Sequence, residues 1–299
     1  MKINDQPVNP ADPATISKFE DKLVIPRVAR SKPNNNYPPN SYYEIQMLKA
    51  RHRFHKDFPY TDVWGYDGIV PGPTIEAKKD VTTYVKYLNK LPDKHFLPVD
   101  YSLHGVNNSA EVRTVVHLHG ANVASASDGH PEAWYTKNYA ATGPLFKQEV
   151  HAYTNHQPGT TMWYHDHAMA LTRINVVAGL AGFYLLRDSL EERLKLPKGD
   201  YEIPLLIQDR SFNEDGSIFY PTKLDPPFPL PVPDQLPLPD PTVTLGYVGN
   251  TVIVNGKVWP YLNVEPRKYR FRILNGSNRR SYKLRLSNEE EMNQIGTDG

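Results

Sequence analysis

Short runs in which apolar and polar residues alternate dominate this chain, and they are separated by turn-forming residues every ten to twenty positions. Tyr42-Tyr43-Glu44-Ile45-Gln46-Met47, Asp62-Val63-Trp64-Gly65-Tyr66 and Val81-Thr82-Thr83-Tyr84-Val85-Lys86-Tyr87-Leu88 each have the period of two and the length of a half-buried strand. Two further runs, Val115-Val116-His117-Leu118-His119-Gly120 and Trp163-Tyr164-His165-Asp166-His167-Ala168, share that alternation, and the apolar stretch from Ala178 to Leu186 reads as another strand. Between them, Val70-Pro71-Gly72-Pro73-Thr74 reads as a turn, because two prolines fix φ and Gly72 supplies freedom. The pattern predicts about seven or eight strands closed into a sandwich or barrel.

Asp188 to Gly199 interrupts the pattern with charge and is the expected boundary, giving units 1–188 and 189–299. Beyond it, Tyr201 to Ile207 and Ser217 to Tyr220 flank Asn213-Glu214-Asp215-Gly216, which has the composition of a hairpin turn. Asn255-Gly256 between Thr251-Val252-Ile253-Val254 and Lys257-Val258-Trp259 is the strongest short hairpin signal in the chain. Lys268 to Leu274 alternates, predicting charge out and apolar in, and Tyr282 to Leu286 is a last strand candidate. The proline-rich stretch 226–241 reads as a surface loop, and residues 31–40 as an extended arm wrapping the surface. With the text ending just past its last strand candidate, the second unit is expected to be incomplete, with an open sheet edge.

Composition supports an all-β class: 28 prolines and 18 glycines in 299 residues leave little room for long helices. A formal charge of +1, with no basic run interleaved with aromatics, argues against nucleic acid. No apolar run approaches the roughly twenty residues that span a bilayer. The first thirteen residues lack an apolar signal core, so cytoplasmic synthesis is expected. The absence of cysteine removes thiolate metal ligands from this chain.

The candidate chemistry lies in the two His-x-His strands. Side chains two apart on a strand share a face, so His117 and His119 point together, as do His165 and His167, with Leu118 and Asp166 turned the other way. Four neutral imidazoles without thiolate suit Cu(II), Zn(II) or Ni(II) better than Mg or Ca, and copper is favoured by affinity order. A lone histidine on a strand is usually a satisfied core or surface residue, which is the reading for His52, His55, His95, His104, His130, His151 and His156. Two such pairs within about fifty residues reverse that reading for the four.

These motifs, together with Asp128-Gly129-His130-Pro131-Glu132-Ala133-Trp134, Met169-Ala170-Leu171-Thr172-Arg173 and Val254-Asn255-Gly256-Lys257-Val258-Trp259-Pro260, resemble the first half of bacterial multicopper oxidases of the spore-coat laccase type. The resemblance implies cupredoxin-like Greek-key barrels, here one complete and one incomplete, with a third domain outside this chain. It implies oxidation of phenolic or similar small aromatic reductants at a mononuclear type 1 copper and reduction of O2 to water at a trinuclear cluster. Four of the cluster's histidines would come from this chain and four from the C-terminal segment. His117 then resembles the type 2 ligand, and His119, His165 and His167 resemble type 3 ligands. Asp128 falls where the family places an acid that assists protonation of oxygen; on its residues alone it reads as an Asp-Gly turn. The resemblance also implies a spore-coat location. The competing readings are a structural coat or copper-binding protein without turnover and, more weakly, a zinc site, which lacks a nearby Glu as general base.

Overall fold

The computed structural model describes residues 11–297 apart from 102, 104, 107, 108 and 221–246. In chain order its elements are strands β1 (Tyr42–His52), β2 (Thr61–Tyr66), β3 (Gly72–Lys78), β4 (Thr83–Asn89), β5 (Val116–His119), β6 (Val150–Tyr153) and β7 (Thr160–Asp166), helix α1 (Thr172–Ala178), and strand β8 (Ala181–Arg187). Helix α2 (Ser189–Arg193) follows, then strands β9 (Glu202–Phe212), β10 (Ile218–Phe219), β11 (Thr251–Val254), β12 (Lys257–Val258) and β13 (Arg270–Asn275). No helix among the described residues is long and apolar enough to cross a membrane.

The first eight strands form two four-stranded sheets, β2-β1-β4-β6 and β3-β8-β7-β5. β1 pairs with β4 and β3 with β8 in parallel, so chain neighbours are split between sheets as in a Greek-key sandwich. The alternation in the sequence builds the core directly. β4 buries every second residue from Thr83 to Asn89, and Val85 and Tyr87 meet Ile75, Tyr164 and Leu186 of the facing sheet. The rings of Tyr66, Tyr87 and Tyr164 lie with centroids 4.8 to 6.0 Å apart, and Tyr164 donates its hydroxyl hydrogen bond to the carbonyl of Pro73 at 2.6 Å. Burying such a side chain contributes roughly 2 kcal/mol, provided its hydroxyl finds a partner.

β8 is buried on both faces because the second unit covers the outer one. Phe183 and Leu185 pack there against Leu206 of β9, with Trp163 and Leu274 at the margin. That second unit is a five-stranded sheet, β10-β9-β11-β12 with β13 parallel to the other side of β9. Asn255 and Gly256, at φ 48° and 76°, make the expected tight turn between β11 and β12. Upstream of the arm expected at 31–40, parallel bridges from Lys22 to Tyr261 and from Val28 to Thr74 tie the N-terminal stretch to both units.

Several expectations are corrected. Gly72 to Thr74 opens β3 rather than forming a free turn, since pairing with β8 captures it. β6 carries no strong apolar run and was not expected; its pairing with β4 defines it. The apolar stretch from Ala178 begins as the end of α1, which buries Ile174 through Ala178 and stops at Gly179 before β8 starts at Ala181. Burial on all sides overrides the weak helix propensity of its β-branched residues. Residues 282–286 are not a strand and pair with no strand among the described residues.

β13 faces opposite to its predicted sense. Arg272 is 5% exposed and points inward, while Phe271 and Ile273 are each 44% exposed. The inward face meets acids instead of hydrocarbon: Arg272 Nε donates to Glu202 at 2.5 Å and its guanidinium also reaches Glu191, with Arg187 and Arg270 on the same two carboxylates. These carboxylates offset the cost of burying the guanidinium. The proline-rich stretch 226–241 lies outside the described residues.

Candidate metal centre

The register between β5 and β7 places the candidate ligands. His117 sits directly opposite His165, His119 opposite Trp163, and Val116 opposite Asp166. Alternation then turns both His-x-His pairs to one face and buries Leu118 and Asp166 on the other. His117, His119 and His165 offer nitrogen atoms that all lie within 4.8 Å of one another. His167, just past the end of β7, stacks on His117 with centroids 4.8 Å apart and an angle of 25°.

Three of the four rings are oriented by backbone carbonyls. His117 Nδ1 donates to Asp128 O at 2.5 Å, His165 Nδ1 to Asp166 O at 2.8 Å and His167 Nδ1 to Gly129 O at 2.9 Å. A carbonyl oxygen only accepts, so each of these Nδ1 atoms carries the proton and each Nε2 keeps its lone pair. His119 is turned the other way: its Nδ1 faces His165 Nε2 at 3.4 Å. Burial first, and neighbouring imidazoles after it, push the His165 ring down to about 3, and burial likewise lowers His117. Both rings are therefore neutral near pH 7, the protonation state of a ligand.

Trp163 covers His165 in a stacked contact with centroids 4.0 Å apart. Behind the site, Asp166 accepts from Val115 N at 3.2 Å, Ala168 N at 3.1 Å and Asn175 Nδ2 at 2.8 Å, and burial pushes its carboxyl up to about 7. Asn175 Oδ1 in turn accepts from His95 Nε2 at 3.1 Å. Asp128 keeps its carboxylate half exposed, with Oδ1 3.5 Å from His117 Nδ1. Gly129 follows at φ +78°, pressed so closely against Val116 and His117 that no side chain fits. Beside His165 a cavity of about 310 Å³ opens between Trp163, Arg173 and Asn278.

This donor set fits copper. Its nitrogens converge without a carboxylate among them, and the Nδ1 protons of His117, His165 and His167 are already placed on carbonyls, the kind of outer partner that fixes metal-ligating histidines. The other histidines fall elsewhere: His52 Nε2 bonds Gly256 O, His55 Nε2 bonds Ser17 O, His151 Nδ1 bonds Ser127 O and His156 pairs with Asp80. His104 lies outside the described residues. Sequence reasoning missed Trp163, Asn175 and the carbonyls of residues 127–129. Only the Trp-Tyr preceding the second His pair and the Asp-Gly dipeptide hinted at them.

The multicopper oxidase family model matches residues 49–107 and 100–191. A laccase of Bacillus stratosphericus is 54% identical over 95% of this chain and 54% of its own length. A laccase of Bacillus subtilis is 51% identical over the same shares. The chain thus spans about half the length of the curated relatives it matches. Among solved structures, a laccase from Pediococcus acidilactici superposes with a TM-score of 0.64 at 26% identity, over 88% of this chain and 48% of that one. The McoA multicopper oxidase of Aquifex aeolicus gives 0.61 at 26% identity over 88% and 47%.

Proposed function

This chain belongs to the multicopper oxidases, in its N-terminal portion of the laccase type, and from that premise we propose that it supplies half of a trinuclear copper cluster through His117, His119, His165 and His167. In this reading residues 1–188 are the cluster-bearing cupredoxin-like domain and 189–299 belong to the second. A C-terminal segment brings the remaining cluster ligands and the type 1 copper. The whole enzyme oxidises phenolic or similar small aromatic reductants, reduces O2 to water and resides in the spore coat. Bound copper supplies the one-electron steps that couple reductant to O2.

The observation that carries the reading is the convergence of the His117, His119 and His165 imidazoles within 4.8 Å, with the Nδ1 protons of His117 and His165 turned outward onto carbonyls. The protein's part is orientation and protonation. β5 and β7 hold the rings on one face, carbonyls fix their tautomers, and Trp163 keeps water off one side of His165. We assign His117 to the type 2 copper and the other three to the type 3 pair. Asp128, half exposed beside His117, is placed to take protons from solvent and pass them towards the site through water.

Substituting His165→Ala in the full-length protein tests this. Copper per protein should fall and O2 consumption with a phenol should drop to background while the far-ultraviolet circular dichroism is retained. Unchanged O2 consumption at full copper content overturns the assignment.

A further inference from the structure

Residues 127–129 turn three successive carbonyl oxygens towards three different imidazoles. His151 Nδ1 donates to Ser127 O at 2.9 Å, His117 Nδ1 to Asp128 O at 2.5 Å and His167 Nδ1 to Gly129 O at 2.9 Å. Two of those rings belong to the ligand set. The third does not: His151 lies on β6 in the opposite sheet, edge-on to Tyr87 with centroids 5.6 Å apart.

Ser127 is the point at which this loop is anchored to β6. Its hydroxyl oxygen accepts from Ala152 N and from Gln148 Nε2, both at 2.9 Å, and its own N–H donates to Ala124 O at 2.8 Å. Ser127 is 2% exposed and His151 6%, so these bonds form away from water, where leaving one unmade is costly. Peptide planes in sequence share their Cα atoms. Rotation about φ and ψ could absorb a tilt of the Ser127 carbonyl, but the close approach of the Gly129 backbone to Val116 and His117 restricts that rotation, so a displaced Ser127 moves the carbonyls of Asp128 and Gly129 with it.

We infer that His151 and Ser127 are positioning residues for the metal centre: from the opposite sheet, they set the orientation of His117 and His167 through the carbonyls of Asp128 and Gly129. The inference rests on the reading of His117 and His167 as copper ligands. A purely structural role for His151 would lower the melting temperature and leave the copper affinity alone. A positioning role changes the affinity and the spectrum of the copper bound by His117.

The test uses the full-length protein in four variants, His151→Leu, His151→Asn, Ser127→Ala and His117→Ala, with copper affinity measured by competition with a chelator and the hyperfine splitting read by electron paramagnetic resonance. Loss of a ligand's own outer partner typically costs about 10- to 100-fold in metal affinity, and His151 acts one peptide further out, so a drop of about 10-fold, the low end of that range, is expected for His151→Leu along with a changed splitting. His151→Asn keeps an N–H donor near the position of Nδ1 and should restore both. Ser127→Ala keeps the His151 side chain but removes the acceptor of Ala152 N and Gln148 Nε2 that anchors the loop to β6, and should weaken copper in the same direction, which gives the reading independently if His151→Leu does not fold. Wild-type affinity and splitting in either His151→Leu or Ser127→Ala overturns the inference. Full copper retention in His117→Ala overturns the ligand assignment beneath it and the inference with it.

Discussion

His95 ties acid stability to a single buried ring. It is 6% exposed, packs on Trp64 with centroids 4.0 Å apart, donates from Nε2 to Asn175 Oδ1 and accepts the Leu97 N–H on Nδ1 at 2.9 Å. Neither nitrogen has room for a second proton without breaking a bond, and burial pushes the ring down to about 3 from the ordinary 6.5. The unfolded chain therefore binds a proton that the folded one refuses. Stability linked to His95 is fully present above pH 6.5 and is lost as the pH falls towards 3, at about 1.4 kcal/mol per unit. At pH 5 the loss amounts to about 2 kcal/mol.

The variant His95→Gln keeps a donor for Asn175 but no longer titrates. At pH 7.5 it should cost roughly 1–3 kcal/mol, since the Leu97 N–H loses its acceptor. Between pH 7.5 and 5, however, it should lose about 2 kcal/mol less stability than the unsubstituted protein. Urea unfolding of the copper-free protein, followed by tryptophan fluorescence at both pH values, measures the difference. The other buried histidines titrate in both proteins and cancel. Parallel loss of stability in the two would show that His95 titrates normally in the folded state and would refute the argument.

Two further outcomes follow from the geometry. Arg272→Ala should destabilise by about 3 kcal/mol in thermal unfolding, because Glu202 and Glu191 stay buried with one guanidinium fewer; the double replacement Arg272→Met with Glu202→Leu should recover much of it, and a single-variant loss below about 1 kcal/mol would contradict the burial argument. On the proposed function, Asp128→Asn in the full-length protein removes an ionisable group but not its volume, so O2 consumption should slow and its pH profile shift at unchanged copper content, whereas an unaltered rate across pH returns Asp128 to a turn role.

The candidate centre was legible because its signal is local. Alternation along two short strands sets which way His117, His119, His165 and His167 point, and no distant information is needed for that. The sandwich around them was legible for the same reason in β1, β2 and β4. What escaped depends on partners. Arg272 points inward only because Glu191 and Glu202 are there, and period two alone could not tell that face from the one carrying Phe271 and Ile273. α1 is helical because burial surrounds it, against the preference of Ile174, Val176 and Val177 for strands. The carbonyls of residues 127–129 carry no side-chain signature, so the anchoring loop showed only as an Asp-Gly dipeptide.

The pairing of β5 with β7 also bears on when the centre can come into being. His119 and His165 are 46 residues apart in the chain, and closing a loop of that length costs about 3 kcal/mol in its length-dependent part before any contact compensates. The ladder that joins them has only four register pairs, and β5 is the last strand of its sheet. Such a strand is expected to dock after β7 and β8 have built a surface to receive it, so the β5 amides should gain protection later than those of β7 and β8 in pulsed hydrogen exchange. A nascent chain therefore offers isolated His-x-His pairs, which grip any late first-row metal loosely and without discrimination, and the selective arrangement exists only once the sandwich has closed. If β5 docks late, metal added after refolding should load the centre as completely as metal present throughout, and the finished barrel rather than the ion is the template.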